Sequence, residues 1–104
     1  MMEYLGRRYD SCWDFVRKYY EAEFGLRLQP AACQDKHIFC PVQKPREGDV
    51  ILFEQHGVFD HAGIYYYQGV LHHDSTLGVI YSQKVKNVAI YRCLLQRPAV
   101  SAAY

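Results

Sequence analysis

Little in this sequence points to a membrane, a nucleic acid or a secretory route. No apolar run approaches the roughly 20 residues needed to cross a bilayer, so no membrane span or membrane partner is expected. Neither sign of charge dominates: 12 Lys and Arg stand against 11 Asp and Glu. That balance leaves no electrostatic footprint for nucleic acid and no acidic tail. Arg7-Arg8 and Arg17-Lys18 are too short to make a basic patch. The opening residues, Met-Met-Glu-Tyr-Leu-Gly-Arg-Arg, lack the apolar core of a signal peptide. The expected location is therefore the cytoplasm, or a virion reached by another route. Internal repeats and low-complexity segments are also missing.

The four cysteines do not fall in the paired spacing of a structural zinc site. Cys33, His37 and Cys40 offer three ligands where such a site takes four. A Cys33–Cys40 disulfide is an alternative, and buried thiols are the plainer reading. No metal and no cofactor is expected.

What is present suits one small domain, since 104 residues can enclose a single core. That domain is expected over residues 1–97, with a loose tail over 98–104. Its first half carries one strong helical signal. Cys12, Phe15, Val16, Tyr19 and Tyr20 recur on one face, while Asp14, Arg17, Lys18 and Glu21 face the other way. Asp10 or Ser11 is a natural N-cap, with Asp14 three residues beyond Ser11, and Gly25 is placed to end the helix. Cys12 then falls in the first turn. There the backbone N–H groups and the positive dipole end favour an anionic sulfur, and can also donate to an oxyanion.

From residue 45 the pattern becomes strand-like. Residues 45–49 read as a turn, 50–53 as a buried strand and 55–60 as a polar loop. Strands are expected over 61–67, 70–73, 79–82 and 88–93. Residues 29–41 show little periodicity, with a short helix conceivable over 31–37. One helix followed by about five strands predicts an α+β domain, the helix packed on a curled antiparallel sheet.

His61 is the candidate base for Cys12, because a nearby imidazole is the second common device for generating a thiolate. A second histidine could fix its tautomer. If Gln68-Gly69 forms a two-residue loop, Tyr65 lies opposite His72, which shares the face of His61 and Gly63. A three-residue loop puts His73 opposite Gly63 instead, since a one-residue slip reverses every side chain. His72 is the first choice and His73 stays open. Gly63, inside a strand, suggests a bulge or a close backbone approach.

Several blocks occur in order: Tyr9-Asp-Ser-Cys-Trp-Asp-Phe-Val-Arg17, Phe24-Gly-Leu-Arg-Leu28, Pro45-Arg-Glu-Gly-Asp-Val-Ile-Leu-Phe53, His61-Ala-Gly-Ile-Tyr65 and Val70-Leu-His-His73. Together they resemble the NlpC-type cell-wall peptidases, papain-like cysteine enzymes, and most of all the versions found in phage tail-tip assembly proteins. The resemblance implies a Cys-His-His site in which Cys12 attacks, His61 is the base and His72 the third residue by motif. The family's usual spacing from His61 would land on His73. It also implies a tyrosine near the oxyanion, Tyr9 first and Tyr4 next, and a substrate in the peptide stem of peptidoglycan. Two departures stand out. Ser11 separates Asp10 from Cys12 where the family usually has Asp directly before the nucleophile. The segment ahead of Cys12 is also short, so one wall of the groove is expected to be reduced.

Two functions compete on these grounds. One is an active cysteine amidase or peptidase. The other is a structural or assembly protein that keeps the fold among phage tail proteins without its chemistry. A different acyl transfer on the same Cys-His pair is a third, because fold does not fix function.

Overall fold

In the computed structural model, residues 3–29, 38–55 and 58–94 are described. The order is one helix and six strands: α1 (Cys12–Phe24), β1 (Phe39–Val42), β2 (Val50–Gln55), β3 (Val58–Tyr66), β4 (Gly69–Asp74), β5 (Gly78–Ser82) and β6 (Lys86–Cys93). The strands form one open sheet in the order β1-β6-β2-β3-β4-β5, and every pairing is antiparallel. The α+β architecture expected from the sequence is therefore present, with six strands instead of five. The expected tail over 98–104 and the conceivable helix over 31–37 lie outside the described residues.

Local chemistry sets the ends of α1. Ser11 is the N-cap, with extended backbone angles, and its hydroxyl accepts the Asp14 N–H. The Asp14 carboxylate accepts in turn from the Asp10 N–H at 3.1 Å. Gly25 closes the helix at φ 66°, a left-handed conformation that costs glycine little. Phe15, Val16, Tyr19 and Tyr20 are buried, as the periodicity predicts.

The helix lies against β3 and β4. Its side chains pack with Val50, Leu52, Ala62, Ile64, Leu71 and Val79 in the larger of two cores. Strand alternation sends the other set, Ile51, Phe53, Val70 and Ile90, into a second core on the opposite face. The direction of α1 is fixed at both ends. The Tyr9 N–H donates to His73 Nε2 at 3.0 Å, and the Tyr20 hydroxyl donates to the Gly48 carbonyl. The Gly48 N–H in turn donates to the Tyr65 carbonyl. The N-terminus of the helix thus lies at the His73 end of β4 and its C-terminus towards Tyr65.

Two expectations about the strands need correction. Residues 58–60, read as polar loop, belong to β3, which continues through a bulge: the register passes from Phe53↔His61 to Glu54↔Phe59, leaving Asp60 as the extra residue. The β3–β4 turn is Tyr67-Gln68, not Gln68-Gly69. Tyr66 pairs Gly69 and Tyr65 pairs Val70, and both turn residues take positive φ, 46° and 65°, which suits the right-handed twist of the flanking strands. Gly69 is needed within β4, because a Cβ there would sit 2.4 Å from the Tyr81 ring. The register moves by two residues, so each side chain keeps its face.

Candidate active site

His72 is opposite Gly63 on β3 and Ile80 on β5. His61 lies two residues along β3 from Gly63, and Ser82 two residues along β5 from Ile80, so the three form a diagonal line across the sheet. His61 Nε2 is 3.0 Å from His72 Nδ1, and His72 Nε2 is 2.9 Å from Ser82 Oγ. Phe53 packs edge-on against both imidazoles, with ring centres 4.9 Å and 5.0 Å away. Gly63 permits this convergence. A Cβ there would meet Val70 Cγ1 at 2.5 Å, the Leu71 carbonyl oxygen at 2.6 Å and His72 Cβ at 3.0 Å. The close approach expected at Gly63 is real, whereas the bulge lies at Asp60.

His72 is 3 % exposed. Burial first, and the neighbouring His61 second, lower its pKa to about 4 from an ordinary 6.5. It is a neutral ring at neutral pH, with one N–H and one acceptor nitrogen. The unfolded chain takes up a proton at this ring below pH 6.5, whereas the folded chain does so only near 4. The stabilising contribution is therefore intact above 6.5 and is lost between 6.5 and 4. Between pH 7 and pH 5 the loss amounts to about 2 kcal/mol. Urea unfolding of wild type and His72→Gln at those two pH values should show wild type losing about 2 kcal/mol more than the variant. Equal losses would mean that His72 is charged in the folded state.

His73 takes a different part. It faces the helix side, and its Nε2 accepts the Tyr9 N–H. The preceding segment is fastened to β5 as well: the Gly6 N–H donates to the Val79 carbonyl and the Val79 N–H to the Arg7 carbonyl, each at 2.9 Å. Arg8 donates to the Thr76 carbonyl at 2.7 Å. These bonds deliver Cys12, the first helical residue and half-buried, to the same end of the sheet as His61. His61 itself is half-buried and is the first residue beyond the bulge.

The Tyr9 ring packs against Phe15 and His73. Tyr4 is spent elsewhere: it is 5 % exposed, and its hydroxyl donates to Glu23. Trp13 anchors the helix by donating its indole N–H to the Gln29 carbonyl at 3.0 Å, with its ring against Phe39. Among the described residues no group of three or more His, Cys, Asp and Glu is placed to hold a metal; Cys33 and His37 lie outside them. No helix among the described residues is long and apolar enough to cross a membrane.

Residues 5–97 match the NlpC/P60 family. The chain belongs to that family. The match covers most of the 104 residues, and NlpC/P60 proteins are generally cell-wall peptidases that act on peptidoglycan amides. No curated protein matches closely enough to add a named relative. Within this NlpC/P60 domain, Ser11 is no disruption ahead of Cys12. It fills the N-cap, where Ser and Asp serve about equally well. Ser82 is the one member of the polar line that the sequence reading missed. The signal was the alternation of Val79, Ile80, Tyr81 and Ser82, but it acquires meaning only once the β4–β5 register is known.

Proposed function

We propose that the protein is a cysteine peptidase or amidase that hydrolyses an amide bond in the peptide stem of peptidoglycan. Cys12 is the nucleophile, His61 the general base and acid, and His72 the residue that orients His61. The observation carrying this reading is the 3.0 Å contact between His61 Nε2 and His72 Nδ1, made by a buried neutral ring at the sheet end to which α1 brings Cys12.

The contact supports one division of labour between the ring nitrogens. His61 Nε2 is engaged with His72, so proton exchange with sulfur runs through Nδ1. The register shift at Asp60 lies directly beside His61, and bulges next to active sites commonly re-aim a side chain. The Cys12 thiol gives its proton to His61 Nδ1, and the thiolate attacks the carbonyl carbon. The resulting oxyanion is met by N–H groups of the first helical turn, at Cys12 and Trp13, with Tyr9 flanking it. His61 then passes the proton to the leaving amine as the C–N bond breaks, leaving a thioester. Water, deprotonated by His61, releases the acid and restores the thiol.

The test is incubation of purified muropeptides and stem peptides with the protein, read by mass spectrometry for a new amine and a new carboxylate. Cleavage that depends on Cys12 is the expected result. Intact peptides after incubation with folded protein would overturn it and favour an assembly role, such as one within a phage tail.

A further inference from the structure

The polar line does not stop at His72. Ser82 sits on β5, half-buried, on the same face as the two histidines. Its hydroxyl is 2.9 Å from His72 Nε2, and no buried side-chain nitrogen or oxygen among the described residues is left unpartnered. A hydroxyl can donate or accept, so it could in principle match either tautomer of the ring. The choice is made at the other end. A base that takes a proton at His61 Nδ1 carries its own proton on Nε2, and that N–H must be accepted by His72 Nδ1. His72, with a single proton, then bears it on Nε2 and donates to Ser82.

We propose that Ser82 is a positioning residue of the active site: as acceptor for His72 Nε2–H it holds His72 in the one tautomer that can receive His61 Nε2–H. This rests on the hydrolase reading but concerns the ring's proton, which can be observed without turnover. With Ser82 removed, His72 Nε2–H loses its acceptor and the Nδ1–H tautomer becomes competitive. An Nδ1–H would confront His61 Nε2–H donor to donor, so the His61 ring must turn or change tautomer. Its Nδ1 then no longer offers the lone pair that the proposed proton transfer from Cys12 requires. The imidazolium formed during attack also loses the chain of acceptors that stabilises it.

The test compares wild type, Ser82→Ala and Ser82→Thr by ¹⁵N-detected imidazole NMR at neutral pH, alongside hydrolysis across pH and thermal unfolding. Wild type and Ser82→Thr should show His72 as a single Nε2–H tautomer, and Ser82→Ala a mixture. Hydrolysis should fall roughly 3–10-fold in Ser82→Ala, the worth of one hydrogen bond, and return to within about twofold in Ser82→Thr. Unchanged tautomer populations in folded Ser82→Ala would overturn the proposal whatever the activity. A tautomer shift in a protein that cleaves nothing would uphold Ser82's role while the hydrolase reading fails. If Ser82→Ala does not fold, Ser82→Thr decides: a mixed His72 tautomer in this hydroxyl-bearing variant overturns the proposal, and a single Nε2–H form supports it.

Discussion

Replacing Cys12 with alanine should reduce stem-peptide hydrolysis by on the order of 10⁴-fold or more while leaving thermal unfolding within a few degrees of wild type. Loss of the nucleophile removes the covalent route itself, which explains the size of the effect. The small stability change follows from position. Cys12 is the first helical residue, half-buried at the margin of the helix-side core. The cap is made by Ser11 and Asp14, which stay in place. Alanine is the best helix former and removes only one sulfur atom. A variant that is folded and inert supports a chemical role for the thiol. A variant as active as wild type removes Cys12 from the mechanism.

The second large effect is on stability. Asp49 is 1 % exposed, and its carboxylate receives two nitrogens of Arg92, at 3.1 Å and 2.9 Å, and the Arg46 N–H at 2.8 Å. The pair ties the 45–49 turn to β6, and Arg92 also donates to the Lys44 carbonyl. The two partners are unequally buried, since the Arg92 side chain keeps 26 % exposure. Removing Arg92 strands a buried carboxylate with one backbone donor, whereas removing Asp49 leaves a guanidinium that can turn to water. Arg92→Ala should therefore cost about 3–5 kcal/mol and Asp49→Ala about 2–3 kcal/mol in urea unfolding. Net stability of such a domain is only about 5–15 kcal/mol, so Arg92→Ala will be marginal at 37 °C. The reverse order, or costs below about 1 kcal/mol for both, would show that the pair behaves as a surface ion pair.

The parts legible in the sequence were those written in local chemistry. Ser11, Asp14 and Gly25 set the limits of α1 by short-range hydrogen bonds and backbone conformation, and the apolar spacing named its buried face. What escaped depends on remote partners. Phe39-Cys-Pro-Val42 shows neither alternation nor freedom from proline, yet it is strand because β6 offers partners at residues 90–93. Proline is tolerated there because β1 is the sheet edge. The turn was misplaced because Gly69 looked like a turn residue, while its true constraint is the Tyr81 ring. His72 was still placed on the His61 face because the error was an even number of residues. Ser82 and the Asp49–Arg92 pair could not be read at all: each is a contact between strands whose register is set by packing. His73, the alternative third residue, accepts the Tyr9 N–H on the helix side of the sheet, a contact that local sequence does not show.

The central claim is that Cys12 and His61 act as one unit, and the rate of Cys12 alkylation as a function of pH tests it most directly. Iodoacetamide labelling is followed by mass spectrometry in wild type and His61→Ala, with Cys40, exposed on β1, as reference thiol within the same molecule. The account predicts that at pH 6 Cys12 is labelled at least about tenfold faster than Cys40, and that His61→Ala abolishes the advantage, because the thiolate is the reacting species and the imidazolium sustains it. Labelling of Cys12 no faster than Cys40, at the same rate in both proteins, would contradict the account.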